Sequence, residues 1–550
     1  MFSGSTSRFL LRTLLLYTLL TAVMTYPQVL HLRDGVHDDG DPLLNAWALA
    51  WVAHALPTAP AHVFDANIFY PDRRTLAYSE TLIAPGIAAA PLRWLGVGPI
   101  LVYNIVFLSG FIVSGVGVAL LVRRLTGRPA AGVLAGLVFA FLPYRIDHYP
   151  HLQLQQTQCL PFALWAFHRL LASGRLRDGM LFGAFTAGQV LSCMYYGLFL
   201  VPYFAVVCGT MLIAHWRRNP QTARRTTAAL AVSAAIAGAA VLPVARAYLG
   251  AREVVGERKA DEVVAGSATL WNYLGPANEN AVWGSALGRF AEPERRLFPG
   301  FIALALAIIG LARARGGAAQ LAYALGLLLA VDVSLGFNGV TYRALYDHVL
   351  PFRGLRIPAR MGIIAGFSLA VLAGYGVAWI SEQIRPLRAR GASLAAIAAL
   401  MLVEYASRPI DLMIVPAEPP SVYADMVRDV GDTPTAALAE FPAGDRDDPT
   451  YLYYSTFHWQ HLVNGYSGFF PPWYRTYLAA MNTLPGDEGV RVAKNHEARY
   501  LIVHGERLFG ARYPELIDGL DRRRDVKLIS RRPAEREGQH GEASLYRILY

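Results

Sequence analysis

His37-Asp38-Asp39-Gly40-Asp41-Pro42-Leu43-Leu44-Asn45-Ala46-Trp47 stands directly behind the first long apolar run of the chain, and its reading decides the fold. The run before it, from Arg8 to Leu32, has a basic start, a long apolar body and no convincing small-residue cleavage site, so it is expected to stay as a first transmembrane helix. Three carboxylates then meet the membrane edge. Crowded at a low-dielectric boundary, carboxylates repel one another and at least one holds its proton more tightly, a property useful to a general base or to a bound cation. Asp41 followed by Pro42 also reads as an N-cap and N1 pair for a helix over 42–56, and Asp38 and Asp39 as a solvated acidic turn.

Composition widens this reading to the whole chain. Of 550 residues 54% are apolar and 16% charged, and mean hydropathy is +0.32. A soluble domain carries about 25% charged residues and a disordered chain fewer apolar ones, so disorder, collagen-like repeats and a purely cytosolic enzyme are excluded. The class is a polytopic membrane protein. The net charge of +10 comes from 50 basic and 40 acidic residues, with only three lysines, Lys259, Lys494 and Lys527. The arginines sit in short clusters between apolar runs, which fits membrane topology, and no basic stripe or recognition motif points to nucleic acid. Cys159, Cys193 and Cys208 have no metal-like spacing and imply neither a disulfide framework nor a zinc site.

Taking about 20 apolar residues per crossing, the sequence predicts about eleven spans, near 9–30, 98–122, 129–145, 157–172, 179–195, 196–215, 226–248, 299–312, 318–336, 359–380 and 391–408. Arginine clusters such as Arg123, Arg124 and Arg128, or Arg385, Arg388 and Arg390, then all fall on one side. The expected topology is a cytoplasmic amino terminus in a bacterial inner membrane, with the long loops 31–97, 250–298 and 337–358 and the tail outside. The fold class is therefore mainly α: a helical membrane domain over 1–408, carrying interfacial helices near 42–56 and 81–96, and an extracytoplasmic α/β domain over 409–550. Strands are expected at Ala436 to Phe441, Arg499 to Val503, Val526 to Ile529 and Ser544 to Leu549, interleaved with helices near 420–430, 473–483 and 511–520.

Several outer segments carry chemistry-bearing residues. After Asn67 to Asp72 comes Tyr78-Ser79-Glu80, where Glu80 reads as a first-turn acid or as a second carboxylate facing the first. Pro143 to Gln155 gathers Arg145, His148, His151 and Gln155, donors suited to an anionic or sugar ligand; the histidine spacing with Asp147 fits no strong metal motif. Arg353, Arg356 and Arg360, within Pro351 to Arg360, lie outside against the positive-inside tendency, so they are expected to meet an anion, with phosphate binding favoured over plain headgroup contact. His458 to Phe469, with Asn464 and Tyr466, has the aromatics and amides that stack on sugars and bond their hydroxyls, or that form a turn over the domain core.

In layout the chain resembles the GT-C superfamily of polytopic membrane glycosyltransferases. The carriers are the acidic first outer loop His37 to Asp41, the interfacial helices behind it, Asn67 to Pro71, Tyr78 to Glu80 and Pro143 to Gln155. Pro351 to Arg360 and His458 to Phe469 also resemble segments of YfhO-like bacterial membrane proteins. The resemblance implies a polyprenyl-phosphate-linked sugar donor, a glycan or lipid acceptor, membrane lipids as surroundings, and a first-loop carboxylate as catalytic base, which maps onto Asp41 or Asp39. Basic outer-loop residues would hold the donor phosphate. No clean acidic dipeptide of the protein mannosyltransferase type and no WWD-type tail signature is present, so protein acceptors are not implied. No cofactor is expected, and a divalent metal stays open.

Two other classes compete. A transporter or flippase of lipid-linked material needs polar sites inside the membrane and usually paired halves; the acids within predicted spans are Asp332 and Glu404, and no repeat is visible. A non-catalytic envelope glycan-assembly protein would keep working without Asp41.

Overall fold

The computed structural model describes residues 4–313, 317–431, 435–508, 512–536 and 539–550. Each of the eleven expected crossings is helical. Among the described residues, seven helices are long and apolar enough to cross a membrane: Ser5–Met24, Pro99–Thr126, Pro129–Asp147, Met194–Arg218, Pro220–Val255, Gly317–Ser334 and Pro358–Gln383. The other four, Cys159–Ser173, Leu176–Ser192, Phe301–Arg313 and Leu387–Tyr405, fall short in length or carry too much charge. The expected helix at 511–520 appears as Arg512–Asp521, residue 511 lying outside the described residues.

The chain divides into two compact units. Unit one comprises Met1–Leu30, Val106–Pro243 and Glu257–Asp411; unit two comprises His31–Ile105, Val244–Gly256 and Leu412–Tyr550. The first outer loop, drawn above with the membrane domain, thus clusters with the tail, because its helices pack on tail elements.

In unit one the helix Gly362–Gln383 is buried along almost its whole length. It packs on Phe301–Arg313 through Gly376 and Gly310, where a Cβ would collide with the carbonyls of Leu306 and Leu372, so small residues set this close crossing. The two acids singled out for a transport reading are engaged at helix starts. Glu404 accepts the backbone N–H of Phe301 at 2.8 Å and of Ile302 at 3.1 Å, and Asp332 accepts those of Val340 at 3.0 Å and Thr341 at 2.8 Å. Each satisfies amides that the helix itself leaves unpaired.

Unit two is built on the helix Asp41–Thr58. A helix lying on a membrane surface would show one apolar stripe. This one is apolar all round and buried continuously from Pro42 to Ala53, packed on Ile83–Trp94 and Asp448–Ser455; the surface-lying helix of the sequence reading is a core helix. Its neighbour is a five-stranded sheet in the order β4-β3-β5-β7-β6, with β3 Ala437–Phe441, β4 His461–Leu462, β5 Ala498–His504, β6 Val526–Arg536 and β7 Gln539–Ile548. Strands β4, β3 and β5 run parallel, and β7 joins antiparallel between β5 and β6. A two-residue ladder, β1 Gly35–Val36 with β2 Met413–Ile414, ties the start of the outer loop to the start of the tail.

Candidate functional site

The acidic turn is shaped by its own backbone. Gly40, not Asp41, is the N-cap of the helix, so the capping role expected for Asp41 is not the one it plays. Asp41 sits in the first turn, where the macrodipole favours a negative charge, and its Oδ1 accepts the Tyr466 hydroxyl at 3.0 Å. Asp38 Oδ1 accepts the Gly40 N–H at 2.9 Å, a local Asx-type bond that curls the loop back on itself. Burial, then the Asp41 charge, pushes the Tyr466 phenol well above its ordinary value, so Tyr466 remains a donor throughout the physiological range. Asp39 is half-buried beside this pair.

The tail segment that supplies Tyr466 also binds the other two stretches of the outer loop. Leu462 N–H donates to Asn67 O at 2.7 Å, Tyr70 N–H to Leu462 O at 2.9 Å and Phe69 N–H to Asn464 O at 3.1 Å, so residues 67–70 run beside β4 like an added strand. Gly465 permits this approach: a Cβ there would stand 2.6 Å from the Phe69 ring. Further along, Phe469 N–H donates to Tyr78 O at 2.9 Å, next to Ser79 and Glu80. Glu80 is half-buried, and the following helix starts only at Ile83, so the first-turn reading of Glu80 falls away. A side chain to which sequence reasoning gave no role is Asp72, which accepts Tyr78 Oη at 3.1 Å and Trp473 Nε1 at 3.2 Å.

Asn464 is a correction. It is fully buried, its Oδ1 taking the Glu440 N–H at 2.7 Å and its Nδ2 donating to Asp448 at 2.9 Å, so its amide holds β3 and β4 rather than a ligand.

Unit one brings together some of the expected donors and removes others. Arg145 is fully buried; its guanidinium donates to the carbonyls of Phe139 at 3.0 Å and Gln155 at 3.1 Å and to the Thr157 hydroxyl at 2.5 Å. Gln155, equally buried, donates to the carbonyls of Arg145 at 2.9 Å and His148 at 2.8 Å. Both therefore staple the 143–157 segment internally, which corrects their reading as ligand donors. Arg360 is likewise spent, gripping Glu294 with bonds of 3.1 and 2.8 Å. That carboxylate also lies 3.6 Å from His148 Nδ1 and 3.7 Å from His151 Nε2. Burial opposes the charge on Glu294, but the Arg360 guanidinium holds its acid far below the usual range, while burial drives His148 down to about 3 and keeps it neutral. Asp147 completes the cluster by accepting Arg296 Nη1 at 2.6 Å. Neither Glu294 nor Arg296 was singled out from sequence, since both lie in a loop of ordinary composition.

Arg353 donates to the carbonyls of Tyr346 at 3.2 Å and Asp347 at 3.1 Å, the end of the helix Thr341–His348, so it serves first as a helix terminator. Arg356 is exposed, and its backbone N–H donates to Tyr195 Oη at 3.0 Å. Arg258, another residue missed from sequence, joins it: Arg258 N–H bonds Arg353 O at 3.1 Å. Burial first, and then the nearby Arg356 charge, lowers the Arg258 guanidinium below its ordinary value. Arg258 Nη1 also donates to Glu262 at 3.1 Å, so its charge is compensated and the exposed Arg356 is the guanidinium presented to solvent here. Among the described residues no group of three or more His, Cys, Asp or Glu side chains is arranged to hold a metal.

No family model matches the chain, and no curated protein does. Among solved structures, arabinofuranosyltransferase AftD from Mycobacteria aligns over 99% of this chain with 15% identity and a TM-score of 0.62. The chain spans 42% of the length of that enzyme. The Archaeoglobus fulgidus oligosaccharyltransferase aligns over 97% of this chain and 74% of its own, at 12% identity and TM-score 0.47. ArnT from Cupriavidus metallidurans aligns over 98% of both chains, at 13% identity and TM-score 0.41. By its architecture, then, the chain has the GT-C fold of polytopic membrane glycosyltransferases.

Proposed function

We propose that this protein is a membrane glycosyltransferase that moves a sugar from a polyprenyl-phosphate-linked donor to a hydroxyl of a glycan or lipid on the outer face of a bacterial inner membrane. The observation that carries the reading is Asp41. Its carboxylate accepts the Tyr466 hydroxyl and stands half-buried in the first turn of a helix, on a fold shared with an arabinofuranosyltransferase over nearly the whole chain.

A hydroxyl acceptor is far too weak an acid to ionise at neutral pH, so its proton must leave as the new bond forms. Asp41 accepts that proton while the acceptor oxygen bonds the anomeric carbon. The bond from that carbon to the donor phosphate oxygen breaks, and the electron pair leaves with the phosphate. Tyr466 is a positioning residue: it fixes the rotamer of Asp41 and donates to the oxygen not taking the proton. Asp39 and Glu80 are the alternative bases.

Membranes containing the protein, supplied with radiolabelled sugar on polyprenyl phosphate, should yield labelled glycan or lipid. Asp41→Asn should abolish most of this transfer while donor binding persists. Full transfer by both Asp41→Asn and Asp39→Asn removes the assigned base. A transport reading gains nothing from Asp332 and Glu404, because both acids are engaged with helix-start amides.

A further inference from the structure

Strands β3 and β5 run parallel, and at their starting ends, Ala437 beside Ala498, unit two opens into a cavity of about 280 Å³. Short side chains make room there: Ala437 is a methyl-bearing floor between His461 on one neighbouring strand and Ala498 on the other. Aromatic rings form the walls. Tyr70 and His461 stack with centroids 4.8 Å apart and planes 24° apart, and Tyr550 donates its hydroxyl to Ala498 O at 3.1 Å while its residue stays 75% exposed.

The charged side chains of the cavity are one carboxylate, Glu497, and one guanidinium, Arg499, beside the hydroxyls of Tyr70, Thr435 and Tyr550. Glu497 adopts a left-handed φ of 58°, unusual for a residue with a side chain, and its carboxylate accepts the Tyr70 hydroxyl at 2.8 Å. That bond uses one acceptor position of several, leaving the group able to take further hydroxyls. Arg499 lines the same cavity and is exposed. Burial lowers His461 below its ordinary value, so the imidazole is neutral at physiological pH and the two formal charges of the lining cancel.

This chemistry narrows the ligand class. A phosphate would want net positive charge, a cation net negative, and a lipid tail an apolar lining; none of these is present. Rings offering flat faces, together with one acceptor and one forked donor, suit a neutral polyol with an apolar ring face. The cavity stands at the small end of ligand sites, which begin at about 300 Å³, so one sugar ring fills it. We propose that this cavity binds a single sugar residue of a glycan chain, with the ring face on the aromatic wall and vicinal hydroxyls shared between Glu497 and Arg499. The site is non-catalytic and independent of the transfer assigned above.

Calorimetry and saturation-transfer NMR on the detergent-solubilised full chain test this, using methyl glycosides of pentoses and hexoses, with adenosine and inorganic phosphate as comparators. At least one glycoside should bind, and Glu497→Gln and Tyr550→Ala should each weaken it about tenfold, with circular dichroism unchanged. Asp41→Asn should bind as the parent does, which separates this site from the catalytic assignment. The proposal is overturned if no glycoside binds, if both cavity variants bind like the parent, or if adenosine or phosphate binds more tightly than every glycoside.

Discussion

Asp41 and Asp448 each accept a tyrosine hydroxyl from one short stretch of the tail, Tyr466 in the first case and Tyr474 in the second. Their surroundings separate them. Asp448 is fully buried, with Oδ1 taking Asn464 Nδ2 at 2.9 Å and Oδ2 taking the Gly444 N–H at 3.1 Å. Burial pushes its acid up to about 8 against the pull of Tyr474 and Asn464, so at neutral pH it mostly keeps its proton and works as a strut between β3, β4 and the helix Tyr474–Met481. Asp41 is half-buried and heads a helix. The same aspartate and tyrosine pair is thus sealed in the core in one place and reachable from solvent at a helix start in the other.

The largest expected effect breaks the pair at Asp41. Asp41→Asn keeps the shape of the side chain and loses the base, so kcat in the radiolabel assay should fall by roughly 10²- to 10⁴-fold, while the melting temperature in detergent stays put. A melting temperature that falls together with activity would make Asp41 a strut like Asp448. The mirror experiment comes next. Asp448→Ala strands Asn464 and Tyr474 in the core and should cost roughly 2 to 4 kcal/mol of stability. Asp448→Asn, which replaces an acid already largely protonated, should cost far less. Equal losses for the two substitutions, read from denaturant or thermal unfolding, would mean that Asp448 is ionised in the fold. Smaller again is Tyr466→Phe, which leaves the base and removes its fixed donor; a drop of about tenfold in kcat with KM little changed is expected, since a hydrogen bond to a charged group is worth roughly 1.5–3 kcal/mol.

This contrast also explains what could be read in advance. Long apolar blocks such as 99–126 and 358–383 depend on composition alone, and the outlines of β3, β5 and β7 show in short apolar runs. Strand β4 is only two residues long, His461–Leu462, and has no period to detect. Asp41 and Tyr466 were both singled out, but they stand 425 positions apart, and nothing local announces that they touch. Arg145, Gln155, Arg360 and Asn464 were read as ligand donors because a sequence displays a donor's type and not whether the donor is already spent; burial decides that, and all four are buried. Conversely Glu294 gains importance from a partner far along the chain, Arg360. The helix Asp41–Thr58 was assigned to a membrane surface for its shortness, although its lack of a polar face pointed to a core.

The smallest effect concerns the same closed network seen through pH. His504, fully buried at the end of β5, shares one ring nitrogen with Glu440 at 2.8 Å and the other with Glu506 at 2.8 Å. Burial alone would lower it, but Glu506 and Glu440 outweigh burial and raise it from 6.5 to about 9. Between those values the native state holds a proton that the unfolded chain lacks, so this contribution is complete below 6.5 and is lost as pH rises through about 9. Asp448 acts in the same direction over a lower window, from 3.8 to about 8, so the histidine is separated from it by substitution and not by pH alone. Glu506, held below its ordinary value, contributes only on the acid side. The melting temperature should therefore fall by roughly 2–4 °C between pH 8 and 9, and His504→Gln, less stable at neutrality, should flatten that fall. An alkaline decline that persists unchanged in His504→Gln would place its origin elsewhere and leave the buried imidazole neutral, its two glutamates no longer joined through a cation.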